Sequence, residues 1–164
     1  NMVGVPGQTD EHLLKDLRFF QEMDFDMFGL GPYVIHEETP LGTPENKIWW
    51  KENKRKILNK TLNFISILRI LIPNANIATA TALEAIHPQG RIMALKAGAN
   101  IFMPSVTPRE YRGKYLLYEN KPCIDEEASD CKGCSSAKVR VAGLKPAMGE
   151  QGNSKRYFER VKKE

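Results

Sequence analysis

Cysteine and histidine are scarce in this chain, three of each among 164 residues, and long apolar runs are missing. No stretch approaches the roughly 18 to 20 apolar residues of a membrane span, so no membrane association is expected. The opening residues Asn1-Met2-Val3-Gly4-Val5 carry neither a basic region nor a starting methionine, so no cleavable export signal is read there. An odd cysteine count without an export signal points to a reducing cytoplasm, where thiolates serve metals better than disulfides. A dinucleotide fingerprint is absent too: Gly29 and Gly31 lack the third glycine and the ribose-binding acid. The net charge is only +4, with basic residues gathered at 51–60 and 155–163. Solvated helix faces account for both runs, and nucleic acid is not expected as a partner.

The cysteines that are present all fall in one stretch. Seven residues separate Cys123 from Cys131, and two separate Cys131 from Cys134. A Cys-x-x-Cys turn puts two thiolates on one centre, Gly133 is expected to let the backbone fold tightly, and the acid-rich spacer can bring in a third thiolate. Three converging thiolates suggest an iron–sulfur cluster whose fourth iron is open or held by a non-protein ligand. Zinc comes next, but it needs a fourth ligand and the closest histidine in sequence is distant His87. One disulfide with one spare thiol is the plain alternative.

Along the chain, the turn signal Pro6-Gly7 precedes Thr9, a candidate N-cap with Asp10 and Glu11 in the first turn. Leu13, Leu14, Leu17, Phe19, Phe20 and Met23 then recur at helical steps. The run 25–35 reads as a strand entering a glycine-containing loop, and 37–46, with Pro40 and Pro44, as a long loop. Trp49 and Trp50 stand at the entrance to a helix over 51–71, ended by Pro73. Strands are expected at 77–82 and 100–103, with a helix at 89–97 closed by Gly98 and another from 108 to 118. Residues 139–144 read as a short strand or a helix end, and 157–161 as a last helical turn. Four strand–loop–helix units in succession imply parallel strands of an α/β fold. Four strands cannot close a barrel of eight, so this is a small open sheet or half of something larger.

In parallel α/β architectures, functional groups collect at the carboxyl ends of strands. Here those ends are Pro6 to Thr9, Gly29 to Pro32, Thr79 to Thr81 and Met103 to Ser105. They are poor in acids, bases and nucleophiles, and rich in glycine, small hydroxyls and thioethers. Such a surface suits a cofactor that carries the hard chemistry itself. His12 and His87 read as surface residues and His36 as a residue that follows a strand end. Met2, Met27 and Met103 read as core fillers that share a position on strands.

Specific motifs accumulate at the same places. Met2-Val3-Gly4-Val5-Pro6-Gly7-Gln8-Thr9, then Asp26-Met27-Phe28-Gly29-Leu30-Gly31-Pro32, with His36 and Thr39-Pro40-Leu41 after it, resemble the second half of a radical S-adenosylmethionine (SAM) barrel. Ala78-Thr79-Ala80-Thr81-Ala82-Leu83, Gly98-Ala99-Asn100-Ile101-Phe102-Met103-Pro104, Thr107-Pro108 and Tyr111-Arg112 narrow the resemblance to the biotin-synthase-like group. Within that group the chain is most similar to the branch that matures FeFe-hydrogenase. The resemblance covers about residues 2 to 134.

The resemblance implies an eight-stranded TIM-type barrel in which a 4Fe-4S cluster cleaves SAM to a 5′-deoxyadenosyl radical. The Cys-x-x-x-Cys-x-x-Cys motif that holds this cluster is not in the sequence. The chain is therefore expected to be the C-terminal half of the barrel, strands five to eight, inactive alone, and a truncated gene accounts for the missing start. Its expected parts are barrel residues 1–118, a cysteine segment 119–138 and an irregular tail 139–164. By position, Met2, Pro32 and Val34 would border SAM. Thr79, Thr81, Met103, Tyr115 and Tyr118 would line the cavity for a small organometallic or amino-acid-derived substrate. No residue of this chain is expected to be catalytic. Cys123, Cys131 and Cys134 match an accessory iron–sulfur cluster, and other hydrogenase maturation proteins are the implied partners. The family usually shows two adjacent threonines where Ala80 and Thr81 stand, and residues 47–60 read as a surface insertion. The alternatives are a methylornithine synthase or biotin synthase type of enzyme, or a non-catalytic iron–sulfur module.

Overall fold

A computed structural model describes residues 1–115, 117, 118, 121–125 and 128–162, and of 128–130 only the backbone. Its centre is a parallel sheet of three strands, β1 (Met2–Val3), β2 (Met27–Pro32) and β3 (Asn76–Thr79), in the order β1-β2-β3. Helix α1 (Asp10–Glu22) connects the first two strands and α2 (Pro44–Leu71) the next two. Then follow α3 (Ala82–Ile86), α4 (Gly90–Lys96), α5 (Arg109–Arg112), a 3-10 turn (Gly113–Tyr115), α6 (Ala128–Val141) and α7 (Lys155–Val161). The expected α/β class and parallel pairing are present.

Strand β2 alternates as a half-covered strand should, with Phe28 and Leu30 buried and Met27 and Gly29 exposed. Its buried side meets Leu17 of α1 and Phe64, Ile65 and Leu68 of α2, all in one core. On β1 and β2 the opposite side is open, with Met2 (52% exposed) and Met27 (45%) on it, whereas β3 is buried along its whole length. An all-parallel sheet is normally covered on both faces, so the bare side of β1 and β2 is the notable feature of this fold.

Several expected boundaries move. Helix α2 begins at Pro44, not at 51, because Thr43 Oγ1 accepts from Asn46 N (3.3 Å) and Pro44 suits the first turn. The region read as a surface insertion is a working part of the core: Trp50, Ile57 and Leu58 are buried, and Trp50 Nε1 donates to Tyr33 O (2.9 Å). Strand β3 stops at Thr79, and Ala82–Ile86 forms the short helix α3, which the sequence reading did not anticipate. The fourth strand shrinks to one parallel bridge between Ala78 and Ile101. On its entry side the Asn100 side chain takes the Ile77 N–H (2.8 Å) that a ladder carbonyl would otherwise use. The helix expected over 108–118 is only α5 and the 3-10 turn; residue 116 lies outside the described residues.

The tail folds back under the sheet. Ser154 caps α7 by accepting from Tyr157 N (2.9 Å) and donates to Asp26 Oδ1 (3.3 Å). Arg156 pairs with Asp24, Arg160 with Asp26, and Asn76 Nδ2 donates to Gly152 O (2.8 Å). These contacts all reach the entry ends of β2 and β3, away from the strand ends that would carry chemistry. Residues 139–144 are the end of α6 and its exit turn, not a strand.

Candidate functional site

Beyond the carboxyl end of β3 lies a cavity of ≈ 280 Å³. Thr81, Met103, Tyr115 and Tyr118, four of the five residues assigned to substrate, line it together with Arg91, Arg112, Lys121 and Cys123. Thr81 enters from the start of α3 and hydrogen-bonds its hydroxyl to that of Tyr118. Thr79 stands behind the wall, 1% exposed, with Oγ1 donating to Ile101 O (3.2 Å) and accepting from Arg91 Nε (3.2 Å). It therefore positions Arg91 and does not face the cavity. Met2, Pro32 and Val34 lie elsewhere, on β1 and at the end of β2, where Val3 registers with Pro32. Pro32 is buried and Val34 half-buried, while Met2 is open on the bare face. None of the three lines the cavity.

Reasoning from the sequence missed the cations. Arg91 is 3% exposed, yet it sits on α4 in step with buried Ala94 and Leu95. That spacing of three and four residues was a readable sign that this arginine faces inward. Its Nη2 donates to Met103 O (2.9 Å) and its Cζ lies 3.3 Å from the Phe102 ring centroid. Burial pushes its pKa below the usual arginine value, and Glu84, Cys123, Cys134 and Tyr118 pull it part of the way back. Burial likewise raises the Tyr118 phenol, against the Thr81 hydrogen bond and the charge of Arg91, so the hydroxyl stays protonated at neutral pH.

Cys123, Cys131 and Cys134 line one gap of ≈ 10 Å³ with Arg91, Phe102, Ser105 and Lys138. The Cys-x-x-Cys pair is not a turn: both residues lie on α6, and the three-residue step places them on one helix face. Gly133 has no backbone need for glycine, since a Cβ there would meet nothing within 4 Å. The sharp bend falls instead at Cys123, whose φ is 64°. Buried Arg112 holds that bend, donating to Cys123 O (2.8 Å) and Thr107 O (2.8 Å), with Nη1 3.9 Å from Cys131 Sγ. Lys138 donates to Glu84 Oε1 (2.6 Å), which ties α6 to α3.

Three thiols beside Arg91, Arg112 and Lys138 offer the soft sulfur donors that iron–sulfur groups require, so the donor type fits. The gap admits little more than one water-sized sphere. Among the described residues no group of three side chains is spaced to hold a metal ion. Part of the spacer, residues 126 and 127, lies outside the described residues. The histidines add no ligand here. His12 Nδ1 accepts from Thr9 N (3.2 Å) in an α1 capping box, and His36 and His87 Nδ1 accept from Glu38 N and Gln89 N. No described helix is long and apolar enough to cross a membrane.

No protein-family model matches the chain. Over 161 residues it is 40% identical to the FeFe hydrogenase maturase subunit HydE of Thermotoga maritima. The alignment takes in 98% of this chain, so it extends through the tail, beyond the reach of the motifs. It takes in 43% of that protein, and the chain thus spans less than half the length of this relative. Over nearly its whole length, then, this chain is similar to the C-terminal part of the hydrogenase maturase HydE, the relationship that its motifs imply.

Proposed function

We propose that the chain is the substrate-facing part of a radical SAM enzyme that matures FeFe-hydrogenase, as one half of a TIM-type barrel. The observation that carries this reading is the 40% identity to HydE along 161 residues. The bare side of β1 and β2 supports it, because parallel strands are normally covered on both faces and Met2 and Met27 are exposed there. Residues 1–118 contribute barrel, 119–138 carry the thiol segment, and the tail 139–164 braces the entry ends of the strands. The protein works in the cytoplasm beside other hydrogenase maturation proteins.

Bound SAM and its 4Fe-4S cluster supply a carbon radical; the cysteines for that cluster come from chain outside these 164 residues. Met2, Pro32 and Val34 border SAM at the end of β1 and β2. Thr81 and Tyr118 hold their shared hydrogen bond in the cavity wall and present hydroxyls to a small organometallic or amino-acid-derived substrate. Met103 and Tyr115 shape the apolar side of that cavity. Cys123, Cys131 and Cys134 hold an accessory iron–sulfur group, with Arg112 and Lys138 compensating its charge.

The test is anaerobic reconstitution of the full-length gene product with iron and sulfide, followed by two assays. 5′-Deoxyadenosine release from SAM and activation of FeFe-hydrogenase in a host lacking its own HydE are both expected. SAM cleavage without hydrogenase activation would move the protein to the methylornithine synthase or biotin synthase type. Neither activity, with iron still bound at the thiols, would leave a non-catalytic iron–sulfur module.

A further inference from the structure

Residues 143–162 are held to the body by charge and hydrogen bonds, not by apolar packing. Among the described residues none beyond Ala99 belongs to either hydrophobic core, and within 143–162 only Ser154 is buried. Leu144, Ala147 and Met148 do not close on Leu95 and Ile101; the two sides line an open groove of ≈ 460 Å³. The hold lies further on, at α7. Arg156 pairs with Asp24, and Arg160 pairs with Asp26 and stands 3.7 Å from Asp24. Around these pairs Arg156 N donates to Asn74 O (3.2 Å), Asn74 Nδ2 to Glu159 Oε1 (2.7 Å) and Asn76 Nδ2 to Gly152 O (2.8 Å). All four charged side chains keep access to water, from 25% exposed at Arg156 to 55% at Asp24, so dissolved salt can screen them. Gly143 (φ 84°) and Gly149 (φ 81°) bend the chain on either side of 144–148 in left-handed backbone. A Cβ on either would meet nothing within 4 Å, so no packing locks these bends.

We propose that residues 143–162 form a strap, bent at Gly143 and Gly149 and latched by Asp24, Asp26, Arg156 and Arg160, that lifts from the sheet as a unit while the sheet stays folded. Segments with few buried apolar contacts and solvent-accessible bonds are the ones that open below the free energy of global unfolding. Opening uncovers the groove wall at Leu95 and Ile101 and frees the basic helix α7. The latch lies at the entry ends of β2 and β3, so it stands or falls apart from the SAM and substrate assignments.

The experiment is amide hydrogen exchange of the full-length gene product between about 0.1 M and about 1 M sodium chloride, where the screening length falls from about 10 Å to about 3 Å. Exchange across 150–162 is expected to rise about tenfold with salt, as a small network of exposed pairs allows. Exchange across 27–32 and 76–79 is expected to stay as it is. Asp24→Asn removes one charge and tolerates the left-handed backbone at that position (φ 55°), so the turn before β2 is kept. It is expected to bring 150–162 close to its high-salt rate already at about 0.1 M salt. Arg160→Gln, on the strap itself, is expected to do the same, and it leaves the strands untouched should Asp24→Asn disturb them. Protection of 150–162 that ignores salt, or that Arg160→Gln leaves intact, overturns the latch. Exchange that speeds up in the sheet together with the tail overturns the strap as a separate unit. SAM cleavage and hydrogenase maturation do not enter the readout, so failure of the enzyme reading leaves this outcome standing.

Discussion

The hydroxyls of Thr81 and Tyr118, 37 positions apart in the chain, meet in a hydrogen bond at the rim of the cavity. Thr81 opens α3 just past the end of β3, and Tyr118 lies in the segment that leads to Cys123. The bond thus pins the approach to the thiols onto the end of the sheet. It is partly buried, and burial keeps the phenol in its neutral form, able to donate or accept.

Tyr118→Phe retains the ring and removes the bond. The expected loss is about 1 kcal/mol of stability, the usual net value for one intramolecular hydrogen bond. Thr81→Val should cost a similar amount. Urea unfolding of the two single variants and the double variant gives the coupling, expected to be about 0.5–1.5 kcal/mol. Strict additivity would mean that the two hydroxyls do not meet.

The Lys138–Glu84 pair gives a pH signature. Burial of Lys138 works against its charge, but the hydrogen bond and charge of Glu84, aided by Cys134 and Cys123, outweigh it and raise the pKa. A pKa raised in the folded state means stabilisation that is fully present below the unfolded lysine value of about 10.4. It is lost as pH climbs through the folded value. Lys138→Met should therefore be less stable than wild type, by a constant margin between about pH 7 and pH 9, with the margin shrinking above about pH 10.4. Denaturant melts across that range check it, and a margin that grew with pH would contradict the pairing.

Trp50 tests whether 47–60 is ornament or core. Its indole N–H satisfies the Tyr33 carbonyl at 2.9 Å in a buried setting. Trp50→Phe leaves that carbonyl without its donor, at an expected cost of about 1–3 kcal/mol. A true surface insertion would show a change within about 0.5 kcal/mol. Chemical denaturation distinguishes the two.

The periodic parts of this fold were legible in the sequence. Leu13 and Leu17 on α1, and Leu58, Ile65 and Leu68 on α2, are buried as their spacing requires. What escaped detection involves side chains whose partners are distant. The Asn100 amide oxygen takes the Ile77 N–H in place of a ladder carbonyl at the start of the fourth strand, and no local pattern announces that. Pro44 was read as a loop marker because proline breaks helices, whereas after Thr43 it starts one. At the site, Thr81 and Tyr118 are named by the family resemblance, and the three thiols by their spacing. Arg91 shows in sequence only as a charge in step with Ala94 and Leu95, and the carbonyls that hold it and Arg112, those of Met103, Thr107 and Cys123, come from other segments.

Iron loading probes the thiols directly. With iron and sulfide supplied anaerobically, the full-length gene product should bind more iron per chain than its Cys123→Ser, Cys131→Ser, Cys134→Ser variant. Colorimetric iron assay against protein concentration reads the difference. Equal iron in both would remove these cysteines as ligands.

Two glycines of β2 separate packing from function. A Cβ on Gly31 would stand 2.7 Å from the Ala80 Cβ, so Gly31→Ala must push the end of β3 aside. The expected loss is about 1–3 kcal/mol, with Thr81 displaced next to it. A Cβ on Gly29 meets nothing within 4 Å, and Gly29 shares the bare face with Met27. Gly29→Ala should hold or slightly raise stability by restricting the unfolded chain. If that face is the interior of a barrel, its added methyl enters the space reserved for SAM, so the full-length variant should bind SAM more weakly at unchanged melting temperature. Equilibrium dialysis with SAM and a thermal melt decide between the possibilities. A fall in stability with SAM affinity intact would mean that the face is packed against helices, and that the open side of this sheet is not where the cofactor lies.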